Sequence, residues 1–147
     1  MAAEMRSVNI LLVEDNPDDV ILTKESLKEG KIKNTMYDVG DGVEAMAFLR
    51  RQGKYAGSPR PDIVFLDLNL PKKDGRQVLE EIKTDADLRS IPVVILTTSE
   101  AEEDVLKSYN LHANSYITKP VNLERFIHVI KHIEEFWFDI VRLPKGL

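Results

Sequence analysis

The sequence predicts an α/β fold: a doubly wound, five-stranded parallel sheet of (βα)5 type with an extended C-terminal helix. Three observations lead there. Short apolar runs rich in Val, Ile and Leu alternate with longer amphipathic segments along the chain. The runs are apolar at successive positions, as strands buried on both faces by crossover helices require. The length of 147 residues fits one domain with one core, spanning 1–147.

The first strand is Val8 to Val13 (VNILLV), ending at Glu14-Asp15-Asn16-Pro17. Asn16 suits an N-cap and Pro17 the first helical position. A helix follows to about Glu29, with Val20, Ile21, Leu22 and Leu27 as its apolar positions, and Gly30 stops it. A weaker strand, about Thr35 to Val39, leads through Gly40-Asp41-Gly42 into a helix from about Val43 to Gln52. Ala45, Met46, Phe48 and Leu49 are its core positions. Gly53 to Pro61 is rich in Gly and Pro and reads as a loop.

Ile63 to Leu66 (IVFL) is the central strand, ended by Asp67. After a loop at Pro71 to Gly75 comes a helix from about Arg76 to Thr84. Pro92 to Leu96 is the fourth strand, followed by Thr97-Thr98-Ser99 and a charged helix from about Glu100 to Asn110. Its acidic start complements the helix dipole. Ser115 to Ile117 is the fifth strand, broken by Thr118-Lys119-Pro120, and a long helix runs from about Leu123 to Val141.

Composition narrows the function. Cysteine is absent, which excludes disulfide scaffolds, thiolate metal sites and cysteine catalysis. No apolar run approaches the roughly 20 residues of a membrane span. Met1 to Arg6 lacks the pattern of a signal peptide, so a cytoplasmic location is expected. The net charge of −5 and pI near 5.3 argue against nucleic-acid binding, which needs a basic footprint. Glycine fingerprints for dinucleotides or P-loop phosphates are missing.

Ligands of open α/β sheets bind beyond the carboxyl ends of the strands. There the sequence places Glu14 and Asp15, then Asp67, Thr97 and Lys119. Three close carboxylates repel unless a counter-charge joins them. A hard cation with oxygen ligands and waters relieves this, and Mg²⁺ fits best. Asp67 would then be a nucleophile toward a phosphoryl group, with Mg²⁺ and Lys119 neutralising its charge.

At these residues the sequence resembles the receiver domains of two-component response regulators, which have a flavodoxin-like fold. The matching pieces are LLVEDN at 11–16, LDLNLPKKDG at 66–75, VVILTTS at 93–99 and ANSYITKP at 113–120. The resemblance implies that Asp67 is the phosphoacceptor. It implies Mg²⁺ ligands in Glu14, Asp15, Asp67 and the Asn69 backbone carbonyl. Lys119 contacts the phosphoryl group, Thr97 and Tyr116 form a switch pair, and Asn69 and Ser99 tune self-dephosphorylation. The switch has a physical basis, because a phosphoryl group adds about −1.5 to −2 charge and strong acceptors. Thr97 can donate to it, drawing its loop inward, and Tyr116 can rotate into the vacated space. The protein is thereby expected to signal rather than act as an enzyme, while assisting its own phosphorylation and slow dephosphorylation.

The six residues after Val141 leave no room for a DNA-binding output domain, so output through another protein or through assembly is expected. The last helix carries an apolar stripe about half its circumference wide, more than one sheet contact needs. Phe136, Trp137 and Phe138 are candidate anchors of a homodimer or partner face. The alternative is that the stripe covers only its own core. The Gly53–Pro61 loop, LDLNLPKKDGR at 66–76 and HIEEFWFDIVRLP at 132–144 resemble the single-domain response regulators of bacterial phytochromes, notably cyanobacterial ones. A light-regulated histidine kinase is the phosphodonor this implies.

Two other functions stay open. One is a small Mg²⁺-dependent phosphatase with an aspartyl-phosphate intermediate. It would need an acid/base aspartate two residues after the nucleophile, where Asn69 stands. The other is a flavodoxin-like module that binds a ligand without covalent chemistry. His128 and His132, four apart on a helix, read as solvated side chains rather than metal ligands.

Overall fold

The computed structural model describes residues 7–28, 33–108, 113, 115–119 and 121–132, the side chains of 104, 107, 108, 123 and 129–132 excepted. The described residues alternate strand and helix throughout. The order is β1 (Val8–Val13), α1 (Pro17–Lys28), β2 (Asn34–Val39), α2 (Gly42–Leu49), β3 (Ile63–Asp67), α3 (Gly75–Thr84), β4 (Val93–Thr97), α4 (Glu100–Ser108), β5 (Ser115–Thr118) and α5 (Leu123–His132). The strands pair in parallel in the order β2-β1-β3-β4-β5. The chain steps from β1 out to β2, then crosses back to β3 and continues to β5. That reversal opens a crevice at the carboxyl ends of β1 and β3.

Strand alternation divides the core into two layers. Val8, Ile10 and Leu12 of β1, Ile63 and Phe65 of β3, and Val94 and Leu96 of β4 face α1 and α5, meeting Leu27 and Phe126. Leu11 and Val13, Val64 and Leu66, and Val93 and Ile95 face the other way. They pack against α2, α3 and α4 through Ala45, Met46, Phe48, Val78, Ile82 and Leu106. Phe65 and Phe126 are fully buried, with ring centroids 5.9 Å apart, and clamp α5 to the sheet.

The helix ends follow from local chemistry. Asn16 Oδ1 accepts from the Asp18 N–H at 2.9 Å, the expected cap of α1. Asp41 caps α2 by accepting from the Glu44 N–H, and Asp74 with Gln77 forms a capping box on α3. At its far end α2 closes with two bonds, Gln52 N–H to the Ala47 carbonyl and Arg51 N–H to the Phe48 carbonyl. This Schellman pattern puts Arg51 at φ +55°, in the left-handed region usually held by glycine.

Several expectations need correction. Ile21 and Leu22 do not supply the buried stripe of α1, being 58% and 53% exposed. Val20, Thr23 and Leu27 face the sheet instead, at spacings of three and four, and Ile21 and Leu22 fall about 100° and 200° beyond Val20. The Gly53–Pro61 loop contains a 3-10 turn at Gly53–Tyr55. Asp67 and Thr97 end β3 and β4, as expected. The helix expected up to Val141, with Phe136, Trp137 and Phe138, lies outside the described residues beyond His132.

Candidate functional site

The same alternation that splits the core builds the site. Glu14 has the parity of Ile10 and Leu12, Asp67 that of Ile63 and Phe65, and Lys119 that of Ile117. All three therefore continue the α1/α5 layer at the carboxyl edge of the sheet, Asp67 as the last residue of β3 and Glu14 and Lys119 just past β1 and β5. Their side chains meet there. Lys119 Nζ lies 2.6 Å from Glu14 Oε2 and 2.8 Å from Asp67 Oδ2. Asp15, exposed on the rim, completes the acidic group: carboxylate oxygens of Glu14, Asp15 and Asp67 all lie within 4.8 Å of one another.

Backbone contacts fix the two central carboxylates. The Asn69 N–H donates to Asp67 Oδ1 at 2.9 Å, and the Asn16 N–H donates to Glu14 Oε1 at 3.1 Å. Glu14 is almost fully buried. Burial pushes its carboxyl above the usual range; Lys119 and the Asn16 N–H pull it back, and the charge of Asp67 pushes it further up. Burial alone would lower the Lys119 ammonium. Hydrogen bonds and charge from Asp67 and Glu14 outweigh that and hold it above the ordinary lysine value.

This donor set suits a hard divalent cation. It offers oxygen from carboxylates, and Glu14 Oε2 is a buried oxygen facing the Lys119 ammonium at 2.6 Å. Glu14, Asp15 and Asp67 would hold the ion, while Lys119 brings a second positive charge to the same side. A phosphoryl group entering between them would meet both.

The remaining expected residues sit around this centre. Thr97 is fully buried, and its hydroxyl is turned to β5, 3.4 Å from the Ile117 carbonyl and 3.3 Å from the Thr118 hydroxyl. The Lys119 N–H donates to the Thr97 carbonyl at 2.8 Å, tying the two residues together. Tyr116 is half-buried against the α2/α3/α4 layer, and burial followed by the nearby Glu103 charge raises its phenol. Ser99 caps α4, its hydroxyl accepting from the Glu102 N–H at 3.1 Å. Asn69 meets Asp67 through its N–H. His128 is exposed on α5, and the His132 side chain lies outside the described ones.

One residue escaped the sequence reading. Asp19, in the first turn of α1, places Oδ2 3.2 Å from Lys119 Nζ. The available signal was an acidic residue one turn into the helix that leaves β1. Its inward reach depends on how α1 packs, which the sequence does not display.

Comparison with known proteins agrees with this geometry. The model of the response regulator receiver domain matches residues 10–131. Response regulator Rcp1 of Synechocystis sp. is 53% identical over 135 residues, covering 92% of each chain. The crystal structure of the Mn²⁺-bound form of a response regulator Rcp1, 52% identical, aligns over 93% of this chain and 99% of that one, with a TM-score of 0.71. The phosphorylated cyanobacterial phytochrome response regulator RcpA is 51% identical over 95% of this chain and 100% of that one, with a TM-score of 0.72. The bacteriophytochrome response regulator AtBRR is 42% identical over 90% and 96%, with a TM-score of 0.82. Fold, sheet-edge carboxylates and sequence together place the chain in the response regulator receiver domain family.

Proposed function

We propose that this chain, as one receiver unit over 1–147, accepts a phosphoryl group on Asp67 from a phosphohistidine of a histidine kinase. The observation that carries the reading is Lys119 Nζ set 2.6 Å from Glu14 and 2.8 Å from Asp67, beside Asp15. An Asp67 carboxylate oxygen attacks phosphorus, the new P–O bond forms and the P–N bond to the imidazole breaks. The bond electrons stay on the departing nitrogen, and a proton already on the other ring nitrogen makes the leaving group a neutral imidazole. Glu14, Asp15, Asp67 and the Asn69 carbonyl would hold a divalent cation, which would supply charge neutralisation at the phosphoryl oxygens. Lys119 binds one of those oxygens. Water attack at phosphorus later releases inorganic phosphate and restores the carboxylate, with Asn69 and Ser99 setting access.

The phosphorylated state is read through Thr97 and Tyr116. Thr97 exchanges its contacts on β5 for a phosphoryl oxygen, and Tyr116 moves inward against its layer. The chain thus works as a signalling protein rather than an enzyme. Its output is a partner contact or homodimer through Phe136, Trp137 and Phe138, in the cytoplasm.

The likeness to the phytochrome response regulator RcpA and the bacteriophytochrome response regulator AtBRR supports a phytochrome-type kinase as donor. The test is phosphotransfer from a phytochrome kinase carrying labelled phosphohistidine. Transfer to the wild type with Mg²⁺ and none to Asp67→Asn is expected. Label on both proteins would overturn the assignment of Asp67.

A further inference from the structure

Lys119 is shared among three carboxylates. Glu14 Oε2 lies at 2.6 Å, Asp67 Oδ2 at 2.8 Å and Asp19 Oδ2 at 3.2 Å. The first two also belong to the group that could hold a cation, and Asp19 does not. The dipole of α1 explains an acidic first turn, but Asp18 shares that turn. What sets Asp19 apart is its reach across 100 residues of sequence to the ammonium.

The backbone of Asp19 is fixed from both sides. Its N–H lies 3.4 Å from the Asn16 cap oxygen, and its carbonyl accepts the buried Thr23 hydroxyl at 2.8 Å. Leu22, Thr23 and Leu96 wall the small space between Asp19, Glu14 and Lys119.

From this we infer that Asp19 is a positioning residue for Lys119: it keeps the ammonium beside Asp67 when a divalent cation engages Glu14 and Asp67. The inference rests on the phosphoacceptor reading above. Cation and ammonium compete for the oxygens of Glu14 and Asp67, and Asp19 is the one partner of the three that the cation leaves to Lys119. Without the Asp19 charge, the carboxylates left to Lys119 among the described residues are the cation's own ligands, and it competes harder for them.

A double-mutant cycle on Mg²⁺ affinity, read by titration calorimetry, tests this. Asp19→Asn is expected to weaken Mg²⁺ binding by about threefold, the scale of one partly exposed ion pair. In a Lys119→Met background, with Lys119→Gln as a second version, the same substitution should change affinity by less than about 1.5-fold. Asp19→Glu should keep wild-type affinity. Equal weakening in both backgrounds would show a direct charge effect on the cation and overturn the inference. No weakening by Asp19→Asn in the otherwise wild-type chain would overturn it as well. Cation binding involves no phosphoryl group, and Asp67 labelling of the wild type reports separately on the phosphoacceptor reading.

Discussion

Gly75, the first residue of α3, backs directly onto Asp67. A Cβ at position 75 would stand 2.5 Å from the Asp67 carbonyl oxygen and 2.5 Å from the Leu68 Cα. The Gly75 N–H donates to the Leu68 carbonyl at 3.1 Å, so the approach is held by a hydrogen bond. Both clashes are with backbone, which cannot swing aside. Gly75→Ala should therefore cost about 1–3 kcal/mol in urea unfolding and slow Asp67 phosphorylation by displacing the end of β3. Unchanged stability and rate would show that the loop after β3 gives freely.

Removing Lys119 should expose the charge problem that the sequence implied. Lys119→Met leaves the buried Glu14 facing Asp67 and Asp15 without a counter-ion. A loss of about 2 kcal/mol is expected without divalent cation. Mg²⁺ should restore it, since a ligand at about 100 times its Kd adds about 2.7 kcal/mol. Thermal melts with and without Mg²⁺ check this, and the variant should gain more from a given Mg²⁺ concentration than the wild type.

Arg51 occupies a position better suited to glycine. Its φ of +55° closes the Schellman end of α2. Arg51→Gly should raise stability by about 1 kcal/mol in denaturant unfolding by relieving the left-handed backbone. Gly53, nearby at φ +58°, already has the permissive residue, and Gly53→Ala should move stability the other way.

The Glu44 carboxyl should respond to Tyr55. The Tyr55 hydroxyl donates to Glu44, and Lys54 sits 3.2 Å away; the two, in that order, hold the carboxyl below the ordinary glutamate range. A depressed carboxylate contributes stability above its unfolded pKa, and the contribution is lost as pH falls through the folded value. Tyr55→Phe should shift the Glu44 titration upward, followed by carboxyl NMR, and narrow that acid window from below.

Much of the site was legible because it follows from topology. A strand-end residue in a parallel sheet must lie at the carboxyl edge, so Glu14, Asp15, Asp67 and Lys119 could be placed together from order alone. Mutual repulsion of carboxylates then called for positive charge. Asp19 was not legible, since its reach to Lys119 depends on the rotation of α1 on the sheet. The same rotation accounts for Ile21 and Leu22: their apolar character suggested burial, yet Thr23 and Leu27 face inward. The direction of the Thr97 hydroxyl was hidden for a similar reason. It is set by the Ile117 carbonyl and Thr118 on a neighbouring strand, not by the sequence around Thr97.

Phosphorylation of Asp67 is read by intact mass after incubation with acetyl phosphate and Mg²⁺, on wild type and Asp67→Asn. A gain of one phosphoryl group is expected on the wild type, dependent on Mg²⁺ and absent from the variant, with beryllofluoride binding the same site when hydrolysis is fast. A wild type that takes up neither the phosphoryl group nor beryllofluoride would show that Asp67 is not a phosphoacceptor.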